Sequence, residues 1–199
     1  MKRTLVLDAM GVIYRVGDDV ADLLLPFLRA HGGNADKGVV NAAYLRASLG
    51  EIPSAEFWRR VDLDPNAEDA YLATLTLTPG LIRFLDRAAG AFRRIACLSN
   101  DVSEWSRKLR ERHGLTRRID PWFISGDLRC RKPSPDIYHK MLAGLDAAPG
   151  EIVYVDDKAK NLAPAEALGM RAVLYDPEDS ARDAQSPVVA RLEDLIEYA

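Results

Sequence analysis

The sequence predicts an α/β fold, in which a parallel sheet is covered by helices on both faces and carries a small helical insertion. Short apolar runs predict strands, and amphipathic stretches between them predict helices. From residue 78 onwards the two kinds of segment alternate, as expected of a parallel sheet. Between the first strand and residue 78 no strand pattern occurs. We therefore predict a core domain over residues 1–14 and 78–199 and an inserted helical cap over residues 15–77.

Each predicted element follows from a local pattern. Apolar runs predict strands at residues 4–7, 94–98, 122–124, 152–155 and 172–175. The insertion has helical patterns at about 20–31, where Pro26 should kink or split the helix, at 37–49, from Ser54, and after Pro65. Core helices are predicted after Thr78-Pro79-Gly80, over 102–113 with Gly114 as the C-terminal cap, from Ser134-Pro135 to Leu145, before Gly169, and over 188–198.

Composition limits the classes of partner. The chain has 199 residues, 48% of them hydrophobic, which suits one core domain with a modest insertion. A formal charge of -3 and a pI near 5.7 argue against nucleic acid or a membrane surface as the main partner. The patterns leave open a monomer or a homodimer.

Two further features predict a reducing, cytoplasmic location. Cys97 and Cys130 have neither metal-site spacing nor the pattern of a disulfide framework. The chain runs from Met1 directly into the first strand without a signal-type apolar segment. Its apolar runs are also much shorter than the roughly 18 residues of a membrane helix.

Polar residues follow the ends of the predicted strands. Asp8 comes directly after the first strand, where a charge in an apolar context needs a reason. Ser99-Asn100 and Asp156-Asp157 come directly after two further strands, and the strand at 122–124 is followed by Arg131-Lys132-Pro133. The carboxyl ends of parallel strands converge on one rim, which is where open α/β sheets bind ligands. Gly11 is suited to a sharp turn or to close approach of backbone N–H groups to an anion.

This set of residues fits phosphoryl transfer through a covalent intermediate. Such chemistry needs a nucleophile, a cation that neutralises the phosphate, and donors for its oxygens. Asp8 would attack, and Asp157, supported by Asp156, would hold Mg²⁺, which prefers oxygen ligands. The groups predicted to bind the transferring phosphoryl group are Ser99, the Gly11 backbone and Lys132.

Four motifs in order resemble those of the haloacid dehalogenase (HAD) superfamily of hydrolases. They read LVLDAMGVIY, ACLSND, RKPSPDIYHKML and IVYVDDKAKNLAPAEALGM. The last two resemble the branch with haloacid dehalogenases, the phosphatase half of soluble epoxide hydrolases and small sugar-phosphate phosphatases. The resemblance implies a Rossmann-like core with a helical cap after the first motif. It also implies that Asp157 is the metal ligand and that Asn100 positions the substrate, while Asn161 falls at an often polar position.

One position departs from the family pattern. Family phosphatases usually carry a second aspartate two residues after the nucleophile, as general acid and then base, and this chain has Met10 there. The metal site need not be lost, since the family binds Mg²⁺ through the backbone carbonyl at this position. General acid–base catalysis typically contributes about 10²- to 10⁴-fold, so proton transfer has to be explained.

Three functions therefore compete. The favoured one is a magnesium-dependent phosphatase of a small metabolite, whose leaving group is good or is protonated by water or a cap residue. The second is a 2-haloacid dehalogenase, which needs neither the second aspartate nor a metal and in which Arg15 or Arg46 would bind the substrate. The third is a weakened relative that acts as a binding or regulatory module.

The aromatic residues and histidines add little to this choice. Candidates to line the pocket are Tyr14, Tyr44, Phe57 and Trp58, although aromatic residues at helical spacing more often belong to a core. We assign no catalytic role to His31, His113 or His139, which lie away from the motifs.

Overall fold

A computed structural model describes residues 2–178 and 185–199, and a six-stranded parallel sheet runs through them. Its strands are β1 (Thr4–Leu7), β2 (Arg94–Ser99), β3 (Trp122–Ile124), β4 (Ile152–Asp156), β5 (Arg171–Tyr175) and β6 (Val188–Val189). The spatial order is β3-β2-β1-β4-β5-β6, and every neighbouring pair is parallel. The predicted fold class is confirmed.

Strand β1 is one of the two central strands of the sheet, and its four residues are all buried. Leu5 is level with Ile95 of β2 on one side and with Val153 of β4 on the other. The strand order reverses between β1 and β4, which opens a crevice beyond their carboxyl ends. The backbone N–H of Asp8 donates to the carbonyl of Val155 at 2.8 Å, which holds the residue after β1 against β4.

The helices cover both faces of the sheet. They are α1 (Leu25–Ala30), α2 (Lys37–Ser48), α3 (Ser54–Arg60), α4 (Glu68–Leu72), α5 (Leu81–Ala91), α6 (Ser103–Arg112), α7 (Ser125–Leu128), α8 (Pro135–Leu145) and α9 (Ala159–Ala167). Short 3₁₀ segments lie at Pro65–Ala67, Leu115–Arg117, Pro149–Glu151 and Leu192–Tyr198. Within the described residues, every helix is too short or too polar to cross a membrane.

The segment between β1 and β2 contains α1 to α5 and no strand of the sheet in the described chain. Its first helix changes type where the sequence predicts a break. A π-helical turn at Val20–Leu24 passes into α1, and Pro26 lies near the start of α1. Proline is tolerated there because the first N–H groups of a helix have no acceptor within it.

The insertion and the sheet share one hydrophobic cluster. Trp58 of α3 and Tyr71 of α4 lie against Trp105 of α6, with ring centroids 5.6 and 5.2 Å apart. Such aromatic contacts bury large apolar area and add specific ring geometry. The helical segment is therefore packed directly onto the core, and its division from the core at residues 14/15 and 77/78 stays a prediction.

Two predictions near helix ends have different outcomes. Gly114 follows α6 with a φ of 63°, as expected of a glycine after a helix C-terminus. The helix predicted over residues 188–198 is wrong in its first part. Val188–Val189 forms β6 beside β5, and only Leu192–Tyr198 is helical, in a 3₁₀ conformation. The two β-branched valines fit a strand at the sheet edge better than a helix.

Candidate active site at the carboxyl end of the sheet

A cavity of about 330 Å³ lies at the carboxyl end of β1. That volume is in the range that holds small molecules. Many of the residues singled out from the sequence line it, namely Asp8, Met10, Tyr44, Ser99, Asn100, Lys132 and Asn161. The convergence of parallel strand ends places Asp8, Ser99 and Asn100 around this space, as the sequence predicts. Tyr44, Lys132 and Asn161 reach it from α2, the α7–α8 loop and α9.

Lys132 forms the centre of this site. Its Nζ lies 2.8 Å from Asp8 Oδ1 and 2.8 Å from Asp156 Oδ2, and it donates to the carbonyl of Leu98 at 3.0 Å. Burial lowers the pKa of Lys132, but the two carboxylates outweigh burial and the net pKa is raised. The lysine is therefore cationic and holds the two acids close together.

Asp8 is buried but faces the cavity. Its Oδ1 also accepts a hydrogen bond from the backbone N–H of Ala9 at 2.6 Å. Burial raises the pKa of the Asp8 carboxyl well above its usual range, and the charge of Asp156 raises it further while Lys132 lowers it. An additional cation at the site would oppose both of the raising effects.

Asp156 is fully engaged with protein groups. Its Oδ2 accepts from Lys132 Nζ and from the Tyr154 hydroxyl. Its Oδ1 accepts from the backbone N–H of Lys158 and from Asn161 Nδ2, both at 2.9 Å. Burial raises the pKa of Asp156, but Lys132 and these donors outweigh it and the net pKa is lowered. Asp156 is therefore a carboxylate that orients Lys132 and Asn161.

Asp157 has the opposite surroundings. Its Oδ1 is buried and has no hydrogen-bond partner among the described residues. Burial raises the pKa of Asp157 to about 6, against the lowering effect of Lys158. One oxygen each from Asp8, Asp156 and Asp157 lie within 4.8 Å of one another. Such a group of hard oxygen ligands fits a divalent cation such as Mg²⁺.

Gly11 makes room for Asp157. Its φ is 80°, and a Cβ at this position would overlap Asp157 Oδ2. This role differs from the expected one, in which the Gly11 backbone binds the transferring group. Its N–H donates to the carbonyl of Val16 at 2.9 Å, so this donor is already used inside the loop. The glycine is required by close packing and by the left-handed backbone.

Ser99 and Asn100 act in different ways. The Ser99 hydroxyl is buried, lines the cavity and has no hydrogen-bond partner in the part of the chain that the structure describes. The Asn100 side chain donates to the Lys132 carbonyl at 2.9 Å and accepts from the Lys132 N–H at 2.8 Å. Ser99 is therefore free to bind a ligand, whereas Asn100 fixes the backbone that carries Lys132.

Several cavity residues were missed at the sequence level. Asp19, Asn41, Arg131, Lys158 and Lys160 line the same space. Arg131, Lys158 and Lys160 are each next to a motif residue in the sequence, and this position could have indicated that they line the site. Asp19 carries only the signal of a helix cap, and Asn41 carries none.

Arg131 is the least satisfied of these cations. Its guanidinium lies over the Tyr44 ring, 5.5 Å from the centroid, and its Nη1 is buried without a hydrogen-bond partner in residues 2–178 or 185–199. An unpaired buried guanidinium N–H is costly, so an anion in the cavity would stabilise it.

Other candidates lie away from the cavity. Arg46 pairs with Glu51 at 3.2 Å, and Arg15 is exposed beside a neighbouring groove. The side chains of Tyr14, Phe57 and Trp58 belong to the hydrophobic core, as the simpler interpretation of their spacing predicts.

None of the three histidines lines the cavity. His31 Nδ1 and His113 Nε2 contact the carbonyls of Phe27 and Leu75 at 2.8 and 3.2 Å. Cys97 is buried, and neither it nor Cys130 is in a disulfide.

Known proteins resemble this chain in sequence. The family model of the haloacid dehalogenase-like hydrolases matches residues 3–169. Ribulose-1,5-bisphosphate 5-phosphatase from Halopiger xanaduensis is 30% identical over 118 residues, which are 59% of this chain and 49% of that protein. The match thus spans about half the length of this relative, and still smaller shares of two mammalian bifunctional epoxide hydrolases.

Solved structures share the fold. A HAD phosphatase from Thermococcus onnurineus superposes with a TM-score of 0.75 and 23% identity, covering 100% of this chain and 97% of that one. The L-2-haloacid dehalogenase from Xanthobacter autotrophicus gives a TM-score of 0.70 with 20% identity, covering 99% and 98%. The matched family region includes every strand-end residue of the site. The chain therefore belongs to the haloacid dehalogenase-like hydrolase family.

Proposed function

We propose that this protein is a magnesium-dependent phosphatase of small phosphorylated metabolites that acts through an aspartyl phosphate on Asp8. One observation carries the proposal: beside the Asp8–Lys132 ion pair, two buried oxygens, Ser99 Oγ and Asp157 Oδ1, have no hydrogen-bond partner in the described part of the chain. Buried polar atoms are normally hydrogen-bonded. A bound phosphoryl group would give Ser99 its partner, and a cation would do so for Asp157.

The residues divide into three tasks in this proposal. An Asp8 oxygen attacks phosphorus, and Lys132 and Ser99 bind the phosphoryl oxygens. Asp8, Asp157 and the Met10 carbonyl would hold Mg²⁺, which neutralises phosphate charge when bound. Asp156 would support the metal site without being a main ligand, since both of its oxygens already accept hydrogen bonds, from Lys132 Nζ and from the backbone N–H of Lys158 among others.

The cations of the cavity support a small anionic substrate. Arg131, Lys158 and Lys160 line the space in addition to Lys132. Lys132 is occupied by Asp8 and Asp156, whereas Arg131 Nη1 has no partner within the described residues. We infer that the substrate carries a second anionic group, such as a carboxylate or a second phosphate, that pairs with Arg131.

A 2-haloacid dehalogenase is the second candidate. Met10 favours it, because displacement of a halide needs no general acid. Two observations weigh against it. Both acids of the Asp156-Asp157 pair are present, and neither Arg15 nor Arg46 lines the cavity of Asp8.

The deciding experiment measures hydrolysis of p-nitrophenyl phosphate by the purified protein with and without Mg²⁺. We expect magnesium-dependent turnover, which Asp8→Asn lowers by at least about 10³-fold because it removes the nucleophile. Asp136→Asn makes the same chemical change at an exposed site on α8 and should leave the rate unchanged. Circular dichroism would check that all variants are folded.

A calorimetric titration tests the metal without using activity. We expect Mg²⁺ to bind the natural protein and to bind Asp157→Asn at least about tenfold more weakly, because a charged oxygen ligand is lost. Absence of phosphate release at any Mg²⁺ concentration, together with halide release from 2-haloacids, would overturn the proposal in favour of the dehalogenase.

A further inference from the structure

We propose that Asp19, at the start of the first helical turn of the insertion, is the general acid and base of this site and replaces the aspartate that the family carries at Met10. The inference rests on the proposed phosphatase function. Met10 lines the cavity but has no proton to give, so a proton donor has to come from another element.

Asp19 is buried although its side chain is ionisable. Its exposed fraction is 7%, yet its side chain lines the same cavity as Asp8, Ser99 and Lys132. No salt bridge to Asp19 occurs in the described residues, although buried carboxylates are normally paired with a cation. A buried carboxyl that faces a substrate cavity and has no ion-pair partner among the described residues is suited to proton exchange rather than to a structural role.

The other carboxylates at this cavity have different tasks. Asp8 pairs with Lys132 and is the nucleophile of the proposed reaction. Asp18 is exposed, and its Oδ1 accepts from the backbone N–H of Ala21 at 3.0 Å, which is a local helix cap. Asp19 is therefore the buried carboxyl of the cavity that is left for proton transfer.

Tyr44 orients the Asp19 carboxyl. Its hydroxyl lies 3.5 Å from Asp19 Oδ2 and 3.2 Å from the carbonyl of Asn100. A phenol has one hydrogen and also accepts, so it can donate to an ionised Asp19 or accept from a protonated one. The same contact thus holds the side chain in both protonation states. It also links Asp19 to the residue that fixes Lys132.

The charges around Asp19 favour exchange of a proton near neutral pH. Burial raises the pKa of Asp19 to about 6, with Lys158 lowering it and Asp18 raising it. Asp101, a second buried carboxyl, is close enough for the charge of Asp19 to raise its pKa, and Arg131 lies over the Tyr44 ring. A pKa close to the working pH suits a group that first gives and then takes a proton.

The proposed reaction has two steps, and Asp19 transfers one proton in each. When Asp8 attacks phosphorus, the bond to the leaving oxygen breaks, its electron pair stays on that oxygen, and the proton of Asp19 is transferred to it. The ionised Asp19 then removes a proton from a water molecule as the water oxygen attacks the aspartyl phosphate. The bond from phosphorus to Asp8 breaks, inorganic phosphate leaves, and both carboxyl groups return to their starting states.

The test compares two leaving groups in Asp19→Asn, with Mg²⁺ present. On an alkyl phosphate we expect kcat to fall by about 10²- to 10⁴-fold, because the alkoxide leaves without a proton. p-Nitrophenolate needs no proton. The variant should therefore release p-nitrophenolate in a burst that approaches one equivalent per enzyme. Slow turnover should follow, because hydrolysis of the aspartyl phosphate then lacks its general base.

Two further variants separate a catalytic role from a structural one. Met10→Asp in the Asp19→Asn background puts a carboxyl back at the family position and should restore alkyl phosphate turnover at least about tenfold. Asp22→Asn makes the same chemical change at an exposed position on the same helical turn and should give neither the burst nor the loss.

These experiments distinguish failure of the role proposed for Asp19 from failure of the proposed phosphatase function. If the natural protein lacks magnesium-dependent, Asp8-dependent turnover, the phosphatase proposal itself fails. If that turnover is present and Asp19→Asn stays within about twofold of it on both substrates, only the role of Asp19 is overturned. Equal losses on both substrates, without a burst and without rescue by Met10→Asp, would also overturn it.

Discussion

Two buried polar clusters in this molecule are built in opposite ways. At the contact between the insertion and the core, Glu68 Oε2 accepts from the indole N–H groups of Trp58 and Trp105 at 3.1 and 2.9 Å. Its Oε1 lies 2.7 Å from Lys108 Nζ. At the sheet rim, Ser99 Oγ and Asp157 Oδ1 are buried without partners among the described residues.

The titration of the two clusters follows from this difference. Burial raises the pKa of Glu68, but Lys108 and the other donors outweigh it and the net pKa is lowered. At Asp157 burial dominates and raises the pKa to about 6. A cluster that satisfies its own charges stabilises the fold, whereas one with unpaired atoms facing a cavity is completed by a ligand.

The largest stability effect is expected at the rim, for Lys132→Met. The substitution keeps most of the side-chain volume but leaves Asp8 and Asp156 buried without their cation. Removing one partner of a buried ion pair costs about 3–5 kcal/mol, and we expect that loss in the free energy of unfolding from urea titration. Lys140→Met, at an exposed lysine of α8, is the control. A loss below about 1 kcal/mol would show that the rim does not depend on this charge.

A smaller effect is expected for Glu68→Leu. Two buried indole N–H groups lose their acceptor, which should cost roughly 2–4 kcal/mol of unfolding free energy at about 1–2 kcal/mol for each neutral donor. Catalysis should stay close to that of the natural protein while the variant is folded, because Glu68 does not line the cavity. Asp69→Asn removes another, exposed partner of Lys108 and should change stability much less. A selective loss of kcat in a stable Glu68→Leu would contradict this division of tasks.

The smallest effect is expected for Glu68→Gln, which retains an acceptor for the indoles but loses the charge. We expect a loss of about 1 kcal/mol at neutral pH. Since the folded pKa of Glu68 lies below the ordinary value of 4.5, its stabilisation is present above that value and is lost as the pH falls through the folded pKa. The difference in unfolding free energy between the natural protein and the variant should therefore stay constant from neutral pH down to about pH 5 and narrow as the pH falls further. A constant difference would mean that charge is not involved.

Much of the rim could be predicted from the sequence, because parallel strands bring their carboxyl ends together whatever the loops do. Asp8 and Ser99 border one cavity for that reason, whereas Lys132 reaches it from the loop between α7 and α8. The role of Gly11 could not be predicted in the same way. Whether its N–H faces a ligand or Val16 depends on how the loop closes, and the steric need for glycine comes from Asp157, which is distant in sequence.

By itself the sequence determined the fold class, the helical character of the segment between β1 and β2, and the order of the motif residues, since hydrophobic periodicity and local motifs are properties of short segments. Only the tertiary structure decided which polar groups are paired. Asp156 and Asp157 are neighbours in sequence, yet one is surrounded by donors and the other has an oxygen without a partner in residues 2–178 and 185–199. Asp19 has the pattern of a helix cap, but its burial beside Tyr44 makes it a candidate acid. Burial and pairing depend on contacts between distant segments, and these contacts form only when the chain has folded.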